Sequence, residues 1–314
     1  MRRYWFAALL LLAGAAHADP LPVAQTRAAP LLVEAVAYDH RDRLLVSTVH
    51  ATGIYRLQKN GALKRWSQRG ATQGVFGIVA DRARGDLWAA STGSAHGGDP
   101  AARPALLWFD LRNGRLKQRI AAPEGAKSFG DVAVGDDGAV YVSDSGAGNV
   151  LRLRPGAAAL EQIATLGADG SPQGLAVSPD GRTLVFAGYG TGLHRVDLTT
   201  GAYARVPTPQ GMELRGVDGV VRDADDLIVV QNGVAPPRVL RLALNADWSA
   251  VERLDILVRD AGMQEPTGGV VRNDSFVFVS RSQWTDFGTD GKPKSPQPSP
   301  AVISRVPARA PASP

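Results

Sequence analysis

The chain has 314 residues, no cysteine, 35 glycines and 21 prolines. The missing cysteines exclude disulfides, thiolate metal sites, a lipid-modified cysteine anchor and a Cys nucleophile. Beyond Arg2 and Arg3, 33 Lys and Arg face 30 Asp and Glu with no basic block, which predicts neither a nucleic-acid partner nor a membrane-bound surface.

The N-terminus predicts export. Arg2 and Arg3 precede a short apolar run over residues 4–13, and Ala16-His17-Ala18 follows as a small-x-small cleavage site. Residues 1–18 are therefore expected to be a signal peptide cut before Asp19, which places the mature protein in the periplasm or outside the cell. The apolar run is too short for a stable membrane anchor, and no later segment is apolar enough to span a bilayer.

The rest of the chain repeats one pattern six times. Its copies are Glu-Ala-Val-Ala-Tyr from Glu34, Phe-Gly-Ile-Val-Ala from Phe76, Gly-Asp-Val-Ala-Val from Gly130, Gln-Gly-Leu-Ala-Val from Gln173, Asp-Gly-Val-Val-Arg from Asp218 and Thr-Gly-Gly-Val-Val from Thr267. Start-to-start spacings of 42, 54, 43, 45 and 49 residues match the period of propeller blades. Within the fourth copy, strands are expected over 174–178, 183–187, 193–197 and 203–206, joined by turns at Pro179-Asp180-Gly181 and Thr200-Gly201. No stretch keeps a 3.6-residue apolar period, which argues against helices. The expected fold is all-β: a six-bladed propeller of four-stranded antiparallel blades over residues 19–306. Residues 21–26 are placed to add the fourth strand that the last blade, ending at 301–306, lacks. Residues 307–314 are expected to be a disordered tail.

A meander of this kind brings two sets of residues to one face. The starts of the inner strands carry Glu34, Gly130-Asp131, Gln173, Asp218 and Glu265 to Thr267. The ends of the second strands carry His50, Asp144, Tyr189, Gln231-Asn232 and Arg281. The two clear insertions, 94–103 with His96 and 283–300, fall in loops of that same face, where a rigid scaffold usually places binding. Any one of these polar residues is most simply read as a turn cap; it is their clustering that points to a small-molecule site. The sequence has no Gly-x-Ser-x-Gly elbow, no histidine pair at zinc-ligand spacing and no phosphate loop. What remains is the oxygen-rich set Glu34, Asp131, Gln173 and Asp218, with Asn232 nearby. Such donors suit a hard cation such as Ca²⁺ or another divalent metal, which would polarise a lactone or ester carbonyl.

The blade starts Glu34-Ala-Val-Ala-Tyr-Asp, Pro172-Gln-Gly-Leu-Ala-Val-Ser-Pro-Asp-Gly and Val217-Asp-Gly-Val-Val resemble those of the senescence marker protein/gluconolactonase/luciferin-regenerating-enzyme-like propellers over residues 30–306. The resemblance implies a divalent-metal site of one Glu, two Asn and one Asp, with the Asp as base. Glu34 matches the Glu and Asp218 the Asp, which makes Asp218 the expected catalytic residue. Gln173 replaces one Asn, and Gly130 replaces the other, with Asp131 beside it. The expected metal set is Glu34, Gln173, Asp218 and Asp131. The expected substrate contacts are His50, Asp144, Tyr189, Gln231, Asn232, Glu265 and Arg281. Two functions follow: metal-dependent hydrolysis of a small lactone or ester, or a non-catalytic ligand- or protein-binding propeller that has lost the metal.

Overall fold

The computed structural model describes residues 19–167 and 170–309. The expected signal peptide lies outside the described residues. Six four-stranded antiparallel sheets make up the molecule. Their inner strands are Val33–Tyr38, Gly74–Asp81, Phe129–Val134, Pro172–Val177, Val217–Asp223 and Gly269–Arg272, which head blades one to six. Among the described residues the only helical element is a single turn at Trp284–Asp286. The fourth blade has strands Pro172–Val177, Thr183–Gly188, Gly192–Asp197 and Tyr203–Arg205, each within one or two residues of expectation.

The ring closes through its termini. Leu21–Gln25 pairs antiparallel with Val302–Pro307, with Leu21 opposite Arg305 and Gln25 opposite Val302. The N-terminal segment thus becomes the outer strand of blade six, which gives that blade the same four strands as the others and ties the two ends of the ring together. Thr26 extends the seam, since its amide donates to the Ala301 carbonyl and its hydroxyl accepts from the Ala301 amide. The ordered chain runs past the expected end at 306. Pro307 is still in the strand, Ala308 is buried against blade five and six side chains, and its carbonyl accepts from Arg241. Residues 307–309, expected to open a disordered tail, are therefore ordered; residues 310–314 lie outside the described residues.

The core sits between blades. Each of the six blade interfaces has its own apolar cluster, such as Leu45, Ile54, Val75, Leu87 and Phe109 between blades one and two. Strand alternation supplies the two apolar faces that each sheet needs for its neighbours. The inner strands line an axial channel, where space is shortest.

Two features of the inner strands position the site. In blades one to five the pairing of first and second strand shifts register near the start, between Val33 and Val36, Val75 and Ile78, Phe129 and Val132, Pro172 and Leu175, and Val217 and Val220. Each shift is a bulge, and bulges re-aim side chains. The residues inside the bulges include Glu34, Phe76, Asp131, Gln173 and Asp218. In blades one and three a buried serine of the second strand takes up the freed amide: Ser47 Oγ accepts from Ala35 at 2.9 Å and Ser143 Oγ from Asp131 at 2.8 Å. The second feature is the small residue that follows. At Gly174 an added Cβ would stand 2.6 Å from the Asp218 carbonyl oxygen and closer still to the Val220 amide.

Two outcomes follow from this geometry. Deleting residues 19–26 leaves Val302–Pro307 as an open edge; we expect a melting temperature lower by more than about 10 °C, or self-association, in a thermal melt paired with size-exclusion chromatography. Gly174→Ala pushes blade four off the backbone of blade five and should cost about 1–3 kcal/mol in denaturant unfolding. Wild-type stability in either variant would contradict the account.

Candidate functional site

The bulged starts of the inner strands open into one cavity of about 220 Å³ on the upper mouth of the channel. Glu34, Phe76, Asp131, Ser145, Gln173, Asp218 and Trp284 line it, with glycines between them, and among the described residues no Lys or Arg does. Four of the expected polar residues, Glu34, Asp131, Gln173 and Asp218, are thus brought together. Phe76, which stands where the other copies carry polar residues or glycine, supplies an apolar wall.

Each carboxylate at the mouth is held by one donor. Trp284 Nε1 donates to Glu34 Oε2 at 2.8 Å, and Asn232 Nδ2 donates to Asp218 Oδ2 at 2.8 Å. Asn232 is fixed in turn. It donates to the Pro266 carbonyl at 3.0 Å and accepts from the Tyr189 hydroxyl at 2.9 Å. Gln173 turns its amide nitrogen to Ser171 Oγ at 2.9 Å, which leaves its carbonyl oxygen uncommitted. Glu34 Oε1 and Asp218 Oδ1 likewise accept no hydrogen bond from the described residues, and none of these oxygens is sealed from the cavity. The Glu34 backbone is pinned as well, since its carbonyl accepts from Thr267 Oγ1 and the Gly268 amide and so ties blade one to blade six.

Electrostatics follow from burial without a counter-charge. Burial pushes Asp218 up to about 7, the Asp131 charge adds to this, and the Asn232 hydrogen bond works against it. Burial raises Glu34 well above the carboxylate range, with Asp218 repulsion next. Asp131 is pushed up to about 6 by burial, opposed by the Val132 amide on its Oδ1. An anionic trio in such a place needs protons or a cation. Its hard oxygen donors fit a cation better than a soft ligand would. Among the described residues, however, no three of His, Cys, Asp or Glu come together closely enough to hold a metal ion. Asp131 therefore does not complete a cluster with Glu34 and Asp218, and Gly130 offers no side chain. A divalent cation here would rest on Glu34 and Asp218, with the Gln173 carbonyl as the third protein oxygen.

Above this cavity lies a wider vestibule of about 520 Å³ that shares Asp218 and Trp284 with it. His96, Tyr189, Asn232, Glu265 and Phe287 also line it. Tyr189, Asn232 and Glu265 are thus where the sequence put them. Glu265 sits at φ 45°, and burial raises its carboxyl while Lys294 lowers it.

The other expected contacts serve the framework. Asp144 is fully buried and accepts from the amides of Lys127, Ser128 and Ala147, so it shapes its loop and does not reach the cavity. Gln231 is equally buried and spans the Glu213 and Arg215 carbonyls and Arg238. His50 sits behind the vestibule, with Nδ1 2.7 Å from the His96 carbonyl oxygen and its ring against Phe287. Arg281 is half-buried beside Gln264 and lines neither space.

Trp284, Phe287, Phe76 and Ser145 are the lining residues that the sequence reading missed. The signal for Trp284 and Phe287 was present, since both lie in the insertion 283–300. Gln283 anchors that loop from a positive φ of 84°, with its side chain fixed to residues 29, 31, 32 and 299.

No protein-family model matches the chain, and no curated protein matches it. Solved structures do. A gluconolactonase from Xanthomonas campestris superposes with a TM-score of 0.61 at 15% identity, covering 94% of this chain and 99% of that one. A putative oxidoreductase (glucose dehydrogenase) from Thermus thermophilus gives 0.60 at 18%, covering 91% and 99%. The virginiamycin B lyase of Staphylococcus aureus gives 0.57 at 14%, covering 88% and 80%. At these identities the likeness is one of fold: the chain is a six-bladed β-propeller with four-stranded antiparallel blades.

Proposed function

We propose that the upper mouth of the channel binds a small polar ring compound and hydrolyses a lactone or ester bond in it, with Asp218 as the proton acceptor. The observation that carries this reading is Asp218 itself: a buried carboxyl pushed up to about 7, held by one donor, with its second oxygen free toward the cavity. A base of that strength exchanges protons readily near neutral pH. Tyr189 and Asn232 form a relay of hydrogen bonds that keeps Oδ2 occupied, which leaves Oδ1 to accept from an attacking water. As that water attacks the carbonyl carbon, Asp218 takes its proton. The carbon–oxygen bond to the leaving group then breaks, and the proton passes to the departing alkoxide. Trp284 orients Glu34 opposite, and Phe76 and Phe287 limit water around the ring. A divalent cation held by Glu34, Asp218 and Gln173 would polarise the carbonyl and neutralise the anionic cavity. Export to the periplasm or beyond, which the N-terminal sequence predicts, belongs to this proposal, since a cysteine-free propeller closed by its own terminal strand needs no disulfide outside the cell.

A second reading has its own support. Gly130 withdraws one side chain from the mouth and Asp131 bonds to its own neighbour, which suits a propeller that binds a ligand without turning it over.

Turnover on a panel of small lactones and aryl esters separates the two. In the hydrolase, Asp218→Asn should lower kcat by about 10²–10⁴-fold, and millimolar Ca²⁺, Mg²⁺, Mn²⁺ or Zn²⁺ should raise the melting temperature of the wild type but not of the variant. Ligand binding with no turnover and no response to any of the four metals would establish the binder.

Stability against pH in chelator tests the charge of the cavity. Between the ordinary carboxylate range and about pH 7 the folded protein keeps a proton on Asp218 that the unfolded chain has released. Stability should therefore fall as pH rises across that window and level off above it, by ~1 kcal/mol or more. Asp218→Asn should flatten the fall; an unchanged slope would contradict the assigned burial.

A further inference from the structure

The lower end of the channel is a second, differently built space. It is a cavity of about 320 Å³ whose walls are the apolar residues of all six inner strands, among them Ala37, Val134 and Val177. Arg82, Arg222 and Arg272 stand at its rim. We propose that it is a binding site for a small organic carboxylate, which places its apolar body in the channel and its carboxylate on Arg222 and Arg272.

Three observations carry this. First, the rim has more guanidinium groups than its acids can neutralise. Asp42 is shared by Arg82 at 2.9 Å and Arg272 at 2.5 Å, and Asp136 takes Arg222 at 2.7 Å. At the rim itself three cations thus lean on two carboxylates; the remaining acid of the lining, Asp131, belongs also to the upper cavity. Second, Arg222 Nη1 is buried with no hydrogen-bond partner among the described residues. A buried donor left open costs free energy, and an anion at the rim supplies the missing acceptor. The Asp136 pair spans from blade three to blade five and engages only Nη2, so Nη1 must turn from its sealed position to meet an anion at the rim. Third, the channel is polarised along its axis. Glu34 and Asp218 stand at the upper mouth, Asp131 lines both cavities, and the arginines hold the lower rim. An anion is repelled from above and drawn from below, so an amphipathic carboxylate has one favoured orientation. The apolar walls exclude a purely inorganic anion as the best fit, because most of the cavity would then hold only water.

The proposal does not depend on the hydrolase reading, since the residues that bind the carboxylate are not those of the upper mouth. Isothermal titration calorimetry with hexanoate, with 1-hexanol as its uncharged counterpart and with sulfate as a headgroup alone, tests it. We expect one hexanoate per chain, weakened by added salt, and no saturable binding of 1-hexanol or sulfate. Arg222→Gln should weaken hexanoate by about tenfold or more. Val134→Phe, which fills the channel and keeps every arginine, should weaken it as well, and it carries the test if the arginine variant does not fold. Absence of hexanoate binding by the wild type, equal binding of 1-hexanol, equal binding of sulfate, or full binding by Val134→Phe would each overturn the proposal.

Discussion

Six strands that converge on one axis leave little room for side chains beside it, and the chain meets that constraint with a bulge next to a small residue. The bulge turns one residue of the inner strand out of the ladder and into the channel mouth. The following Ala35, Gly77, Gly174 or Gly219 then lets the next backbone approach. At Gly174 the neighbour is the carbonyl of Asp218 itself, so the packing of blade four on blade five also sets where the proposed base stands. Site and fold therefore share one device. The freed amides are taken by buried serines in blades one and three, which keeps the bulges from costing unsatisfied donors.

Burial at this crowded mouth explains its chemistry. Carboxylates gathered by convergence, with no Lys or Arg among the described lining residues, hold their protons far above the usual range or call for a cation. The lower rim solves the opposite problem. Its arginines lie where the first hairpins of the blades meet, and there acids from other blades reach them. The result is a channel with acidic oxygen at one end and guanidinium at the other, walled by apolar strands between. Such a field sorts ligands by charge and orientation before any specific contact forms.

The vestibule shows how loops complete what strands begin. Trp284 and Phe287 come from the long insertion of blade six and His96 from that of blade two, and they meet over Asp218. His96 stacks edge-on against Trp284 with ring centroids 5.1 Å apart. His50 and Gln283 hold these aromatics from behind. A residue can thus sit on the functional face and act only through the group it supports.

The amino-acid sequence alone determined the blade count, the strand order, the closing role of residues 21–26 and the placement of Glu34, Asp131, Gln173 and Asp218 at one mouth. All of these follow from periodicity, because a meander of fixed length returns equivalent positions to equivalent places. Tertiary structure decided the rest. Asp144 and Gln231 occupy the right strand ends, yet backbone groups from their own blades reach them first and use up their hydrogen bonds. Asn232, just past the strand end at Gln231, instead faces Asp218. Whether a polar side chain faces water or a neighbouring amide depends on contacts between blades and loops far apart in sequence, and the repeat pattern carries no record of them. The Arg–Asp web below the channel joins residues 86 and 230 positions apart, so it too became visible only when the ring closed.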